Sequence, residues 1–266
     1  MRTLEDAVSR IARVVGPALL VLAVAACAGR SEPGRHHSLS ELVEATVAAV
    51  EEAGSARVGV TVGRSADVPP LSGDCLVVYA DREPGVDCFV LGGTETGSSQ
   101  DRFLAVGDGV FVETAEIARD PHRPPWLALG PGGQYEGLAT TAELVRRAVS
   151  PVGVLPPGGD LVAVVAEDGD DPVLRYTVEV DPASAVAAAR DEADRAHYRA
   201  LTDHGVPRVV VDLWVDVEGL PTRAEVRAVT ADGAEHVTEA VFSRWGEERV
   251  ALEPPPASEV AEARRG

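Results

Sequence analysis

Residues 209–228 alternate without a break. Val209, Val211, Leu213, Val215 and Val217 fall on one side of an extended chain, and Val210, Asp212, Trp214, Asp216 and Glu218 on the other. After a turn at Gly219-Leu220, Ala224, Val226 and Ala228 alternate with Arg223, Glu225 and Arg227. Successive side chains of a strand point to opposite faces. The pattern therefore predicts an antiparallel sheet with one apolar face and one wet face. An apolar face of this width has to be covered by other parts of the same chain, and this constrains the fold more than any other feature.

Three segments offer that cover. Ser38-Leu39-Ser40-Glu41 is a capping box, in which the hydroxyl and the carboxylate each satisfy a free amide at a helix start. Leu39, Leu42, Val43, Thr46, Val47 and Val50 then recur at helical spacing up to Gly54. Thr140 or Thr141 is read as the cap of a second helix bearing Leu144, Val145, Ala148 and Val149 on one side. A third helix is expected from about residue 182 to 201, with Arg190, Asp191, Glu192, Asp194 and Arg195 on a solvated face. Between the first two lie ARVGVTVG, CLVVYA, VDCFVLG and DRFLAVGDGVFVET, which read as strands joined by tight turns. DLVAVVAE and PVLRYTVEV flank a turn at 167–171. That turn lacks the spacing of a calcium-binding loop. The expected fold class is α+β: a single curved, mostly antiparallel sheet with helices covering its concave face.

The N-terminus sets the compartment. Residues 14–26 carry no charge and follow Arg2, Arg10 and Arg13. The run is too short to cross a bilayer, which takes about 20 apolar residues, and it has the form of a signal peptide. Val24-Ala25-Ala26-Cys27 resembles the lipobox of bacterial lipoproteins, in which the cysteine becomes the first residue and its sulfur carries a diacylglycerol. Two acyl chains hold a protein firmly on a membrane, so Cys27 is the expected anchor. The alternative is an ordinary signal peptide with a chance cysteine. The expected organisation is a signal peptide at 1–26, a flexible tether at 27–37, one domain at 38–256 and a C-terminal tail at 257–266.

Export bears on the two remaining cysteines. Cys75 and Cys88 flank an expected hairpin turning at Pro84-Gly85, and an exported domain with two cysteines generally pairs them. Zinc is the rival reading, and two cysteines without nearby histidines make a poor site for it. His36 and His37 are adjacent and read as a solvated pair in the tether. The chain carries a net charge of −19, which repels phosphate backbones and argues against a nucleic-acid partner. It contains no lysine, which removes Schiff-base and Ser-x-x-Lys chemistry. There is no nucleophile elbow, no His-Glu-x-x-His and no P-loop. No enzyme activity, no cofactor and no metal are expected.

LWVDVEGLPTRAEV followed by VTEAVFSRWGEERVALEPPPASEV resembles the closing segment of the LppX/LprA/LprF/LprG lipoproteins of mycobacteria and related actinobacteria. The matching positions are Asp216, Gly219, Leu220, Pro221, Trp245, Gly246 and Pro254 to Pro256. RPPWLAL and LRYTVEVD resemble two middle segments, and the opening order of lipobox, tether, helix and strand also agrees. The pair Cys75 and Cys88 and the scarcity of aromatics depart from the family pattern. The resemblance implies a LolA/LolB-like half-barrel with an apolar cavity under its helices, an acylated lipid or glycolipid as ligand, and carriage within the cell envelope. The sequence does not identify an envelope export partner. The expected cavity residues are Leu42 and Val43 on the first helix, Leu144 and Val145 on the second, and Val211, Leu213, Ala224, Val226 and Ala228 on the sheet. The alternative is a structural or interaction lipoprotein of the same fold with a filled core.

Overall fold

A computed structural model describes residues 34–64, 70–79, 84–94, 97–114, 122–130, 136–167, 169, 172–231 and 233–262. Cys27 and the signal peptide lie outside the described residues, as does part of the turn at 167–171. The elements run α1 (Leu39–Ala53), β1 (Ser55–Arg64), β2 (Leu71–Val78), β3 (Gly85–Thr94), β4 (Gly97–Val106), β5 (Gly109–Thr114) and β6 (Trp126–Leu129). They continue with α2 (Glu136–Ala148), β7 (Asp160–Glu167), β8 (Val173–Val180), α3 (Pro182–Ala188), α4 (Glu192–Asp203), β9 (Arg208–Val215), β10 (Pro221–Val229), β11 (Glu235–Ser243) and β12 (Val260–Glu262).

All the strands belong to one open sheet, ordered β12-β6-β5-β4-β3-β2-β1-β11-β10-β9-β8-β7. It consists of two meanders, β1 to β6 and β7 to β11, joined where β1 pairs antiparallel with β11. This is the α+β, mostly antiparallel sheet expected from the alternation, in the half-barrel form that the resemblance implies. A single register row crosses most of it: Val164, Tyr176, Leu213, Ala224, Ala240, Val60, Gly73 and Val90 lie opposite one another in successive strands. Gly73 is a glycine for want of room. A Cβ there would lie 3.1 Å from the Val60 side chain and 3.3 Å from the Cys88 sulfur.

The helices bury apolar stripes against this face. Ser38 Oγ accepts from the Glu41 amide at 3.2 Å, and the Glu41 carboxylate accepts from the His37 amide at 2.8 Å. The hydroxyl bond is the one a capping box predicts, while the carboxylate takes the amide one residue before the cap. Leu42, Thr46 and Val50, four residues apart, form its buried stripe, and Gly54 ends it in the left-handed region, φ 77°. Val145 of α2 and Tyr198 of α4 share one hydrophobic core with Val58 of β1 and Leu213 of β9.

Four boundaries differ from the sequence reading. α2 begins at Glu136, a turn earlier than a cap at Thr140 or Thr141 would place it. Thr141 donates its hydroxyl back to the Gly137 carbonyl at 2.9 Å, a bond made inside helices. The expected third helix is two, α3 and α4. Ala189 is extended, ψ 129°, and Asp191 recaps the chain by accepting from the Asp194 amide at 2.7 Å. The expected tail supplies β12, because Val260 and Ala261 complete the edge beside Trp126 and Leu127 in parallel pairing. The end of the expected tether is held: the Tyr176 hydroxyl donates to the Gly34 carbonyl at 3.0 Å and accepts from the His36 amide at 3.3 Å.

Candidate functional site

Among the described residues, a cavity lies between the inner sheet face and two of the helices. β1 carries a register irregularity between Thr61 and Arg64, opposite β11. Near it Val62, Val209, Val226 and Thr238 form the floor of a cavity of about 60 Å³. Leu144, Arg147 and Ala148 of α2 and His197 and Tyr198 of α4 form its roof, with Val154 from the turn after α2. The floor side chains are small to medium, so the helices do not seat fully on the sheet there. Leu144, on the α2 side of the cavity, is 39 % exposed.

The roof holds a polar cluster over this mostly apolar floor. Arg147 donates to Asp194 at 2.6 Å and to the Tyr198 hydroxyl at 3.3 Å, and its guanidinium lies 5.1 Å from the centre of the Tyr198 ring. The His197 ring meets the Tyr198 ring edge-on at 5.0 Å. Burial, with a smaller push from the Arg147 charge, lowers His197 from its ordinary 6.5 to about 4. Its ring is therefore neutral at neutral pH, and Arg147 is the cation of the cluster. Burial also raises the Tyr198 phenol, which keeps it protonated and able to donate.

The expected cavity residues divide into two sets. Leu144 and Val226 line the cavity. Leu42, Val145, Val211, Leu213 and Ala224 are buried in the packed core, and Val43 and Ala228 are partly buried against it. Alternation and helical spacing give the face a residue belongs to, and on one face packed positions and cavity walls look alike. Arg147, His197 and Tyr198 were missed. Arg147 lies three residues after Leu144, which puts it on the same helix face, but the apolar stripe drew attention to its neighbours. Tyr198 follows Asp194 by four residues and belongs to the inner side of α4, of which the sequence reading marked only the charged side.

Cys75 and Cys88 face each other directly across β2 and β3 and form a disulfide, Cα–Cα 4.0 Å, fully buried on the concave face. Among the described residues no three of His, Cys, Asp and Glu gather as a metal site. Nor, among the described residues, is any helix long and apolar enough to cross a membrane.

No protein-family model matches the sequence, and no curated protein matches it. Solved structures similar to this chain include LprF from Mycobacterium bovis, 14 % identical, with 81 % of this chain and 95 % of that one covered and a TM-score of 0.43. The Mycobacterium tuberculosis lipoprotein LppX is 16 % identical over 81 % of this chain and 100 % of its own, with a TM-score of 0.44. A LolA superfamily protein from Nitrosomonas europaea is 13 % identical over 79 % and 93 %, with a TM-score of 0.32.

Proposed function

We propose that this chain is a lipoprotein anchored through Cys27 to the extracytoplasmic face of the cell membrane. It receives an acyl chain of a lipid between the concave sheet face and helices α2 and α4, and carries that lipid within the envelope. It acts by binding and not by catalysis. The observation that carries the reading is the cavity that α2 and α4 roof over a mostly apolar strand floor. A methylene moved from bilayer to water costs about 0.8 kcal/mol, so a carrier needs a dry wall against which the helices can reseat. The lipobox register at residues 24–27 supplies the location.

One observation favours a second reading. The cavity, at about 60 Å³, is well below the roughly 300 Å³ at which ligand pockets begin. An acyl chain enters only if α2 and α4 move outward. If they do not, the chain is a filled-core lipoprotein that acts through its surface. Native mass spectrometry of the gently purified acylated protein, beside a Val226→Trp variant, separates the two. The carrier reading expects non-covalent lipid mass on the parent, its loss from the variant, and unfolding free energies within about 1 kcal/mol of each other. A parent without lipid, and a variant destabilised by about 1–3 kcal/mol through overpacking, would establish the filled core.

A further inference from the structure

The cavity is apolar on the sheet side, yet its opening carries a guanidinium. Arg147 is mostly enclosed, with a side chain only 14 % exposed, and its charge is met by Asp194, which is 27 % exposed. Enclosing a cation beside an apolar hollow is costly unless an anion accompanies it. Packing alone does not call for this arrangement, since an apolar side chain at position 147 would seat α2 on α4 without it.

From this geometry we infer that Arg147 is the head-group site of the lipid cavity and that the ligand is an acyl chain ending in an oxyanion. Asp194 is the internal anion that holds the place of that group while the cavity is empty. The inference rests on the carrier reading proposed above. Arg147 has five N–H donors, of which the contacts with Asp194 and Tyr198 use two. A carboxylate or phosphate at the opening takes the Asp194 position on the guanidinium. Asp194 lies in the first turn of α4 and is already partly in water, so swinging outward completes its hydration, which offsets part of the contact it gives up. The Tyr198 hydroxyl accepts from Arg147 and keeps its own proton to donate to the incoming oxyanion. His197 is neutral near pH 7 and adds no second charge. The hydrocarbon tail then runs over Val226 and Val209 on the floor.

The test titrates the delipidated full chain with oleate, with lysophosphatidate and with oleyl alcohol, which keeps the tail and lacks the charge. The parent is expected to bind the anionic lipids at least tenfold more tightly than the alcohol. Arg147→Gln should remove the preference and bring the three ligands to a common affinity. Asp194→Asn should bind the anionic lipids several-fold more tightly than the parent, because no internal anion competes. A folding defect would not produce that gain. The tighter of oleate and lysophosphatidate identifies the head group as carboxylate or phosphate. Equal binding of acid and alcohol by the parent, or a preference that survives Arg147→Gln, overturns the head-group site and leaves the carrier standing. Binding of none of the three overturns the carrier with it. Competition by inorganic phosphate alone, as strong as by lysophosphatidate, overturns the lipid assignment of the site.

Discussion

In the β1–β6 meander the inner face is tied across adjacent strands by the Cys75–Cys88 bond, in a row that continues through Phe103, Val112 and Leu127. Its outer face holds a smaller set of links: Arg102 donates to both Asp87 oxygens at 2.9 and 2.8 Å and lies 5.2 Å from the Phe89 and Trp126 ring centres, while Phe89 and Leu91 stand about half exposed. In the β7–β11 meander the weight shifts to the outer face. Tyr176, Leu213 and Ala224 pack the inner row without a covalent tie, and the outer face carries the cross-links. Arg227 reaches Asp212 at 2.6 Å and Glu225 at 2.7 Å, and Arg223 reaches Glu225 at 2.7 Å and Glu239 at 2.9 Å. Trp214 lies under Arg175 and Arg223, 5.9 Å and 4.6 Å from their guanidinium carbons, and donates to Glu167 at 2.9 Å. The strand floor of the cavity is drawn mainly from this second meander, with Val62 of β1 added at the seam. The half that faces the cavity is thus braced from outside, which leaves its inner face free of any tie that would cross the hollow.

The largest effect expected from disturbing this division is loss of the disulfide. A Cys75→Ala/Cys88→Ala variant removes a bridge between residues 13 apart in sequence. In the chain-entropy view a loop of that size is worth about 3 kcal/mol. Urea unfolding of parent and variant measures it. The loss should appear as a lower midpoint at an unchanged slope, apart from any increase due to a less compact unfolded chain. The cavity lies away from the bridge, so a variant that remains folded should bind lipid as the parent does.

A smaller loss is expected on the outer face of the second meander. Asp212 is only 1 % exposed, and its carboxylate is met by Thr177 and Arg227. Arg227→Met leaves it with the hydroxyl alone, at a cost of about 2 kcal/mol for an underpaired buried charge. Adding Asp212→Leu removes the stranded charge and should restore much of the loss. A double variant no better than the single one would show that Arg227 acts through its packing over the strands instead. Either result states how far the ion-pair lattice substitutes for a covalent tie.

These two braces differ in how well the sequence announces them. Cys75 and Cys88 were readable as a pair because export, even count and an intervening turn agree. The outer lattice was readable as a wet face but not as a network, since alternation assigns Asp212, Glu225 and Arg227 to one side without giving their register. The sheet and its apolar face followed from period two alone. Helix boundaries did not, because Thr141 satisfies a carbonyl inside α2 as readily as an amide at its start, and Ala189 has no local signal for the break between α3 and α4. Of the nine positions expected to face a lipid, Leu144 and Val226 lie at the small cavity and the others pack in or against the core, because alternation gives a residue's face and not its packing. The charged part of the opening, Arg147 with Asp194, joins residues far apart in the chain, and no short pattern expresses that.

The smallest effect concerns the opening itself, where His197 couples the cavity roof to pH. Its ordinary value is 6.5 and in the fold it is about 4, because burial and the nearby Arg147 charge both disfavour the protonated ring. Arg147 is the charge that acts on the ring, and Tyr198 meets it edge-on. Between those two values the unfolded chain binds a proton that the folded chain refuses. Stability from this group is therefore full above pH 6.5 and is lost as the pH falls toward 4. From pH 7 to pH 5.5 the expected loss is about 1 kcal/mol. His197→Gln cannot titrate and should flatten that part of the profile, leaving the slope contributed by other groups. The measurement is urea unfolding of both chains at several pH values in this window. Parallel profiles would show that the ring is protonated in the fold as readily as in water. The roof would then be wetter than its packing implies, and the cavity would already stand open to solvent between α2 and α4.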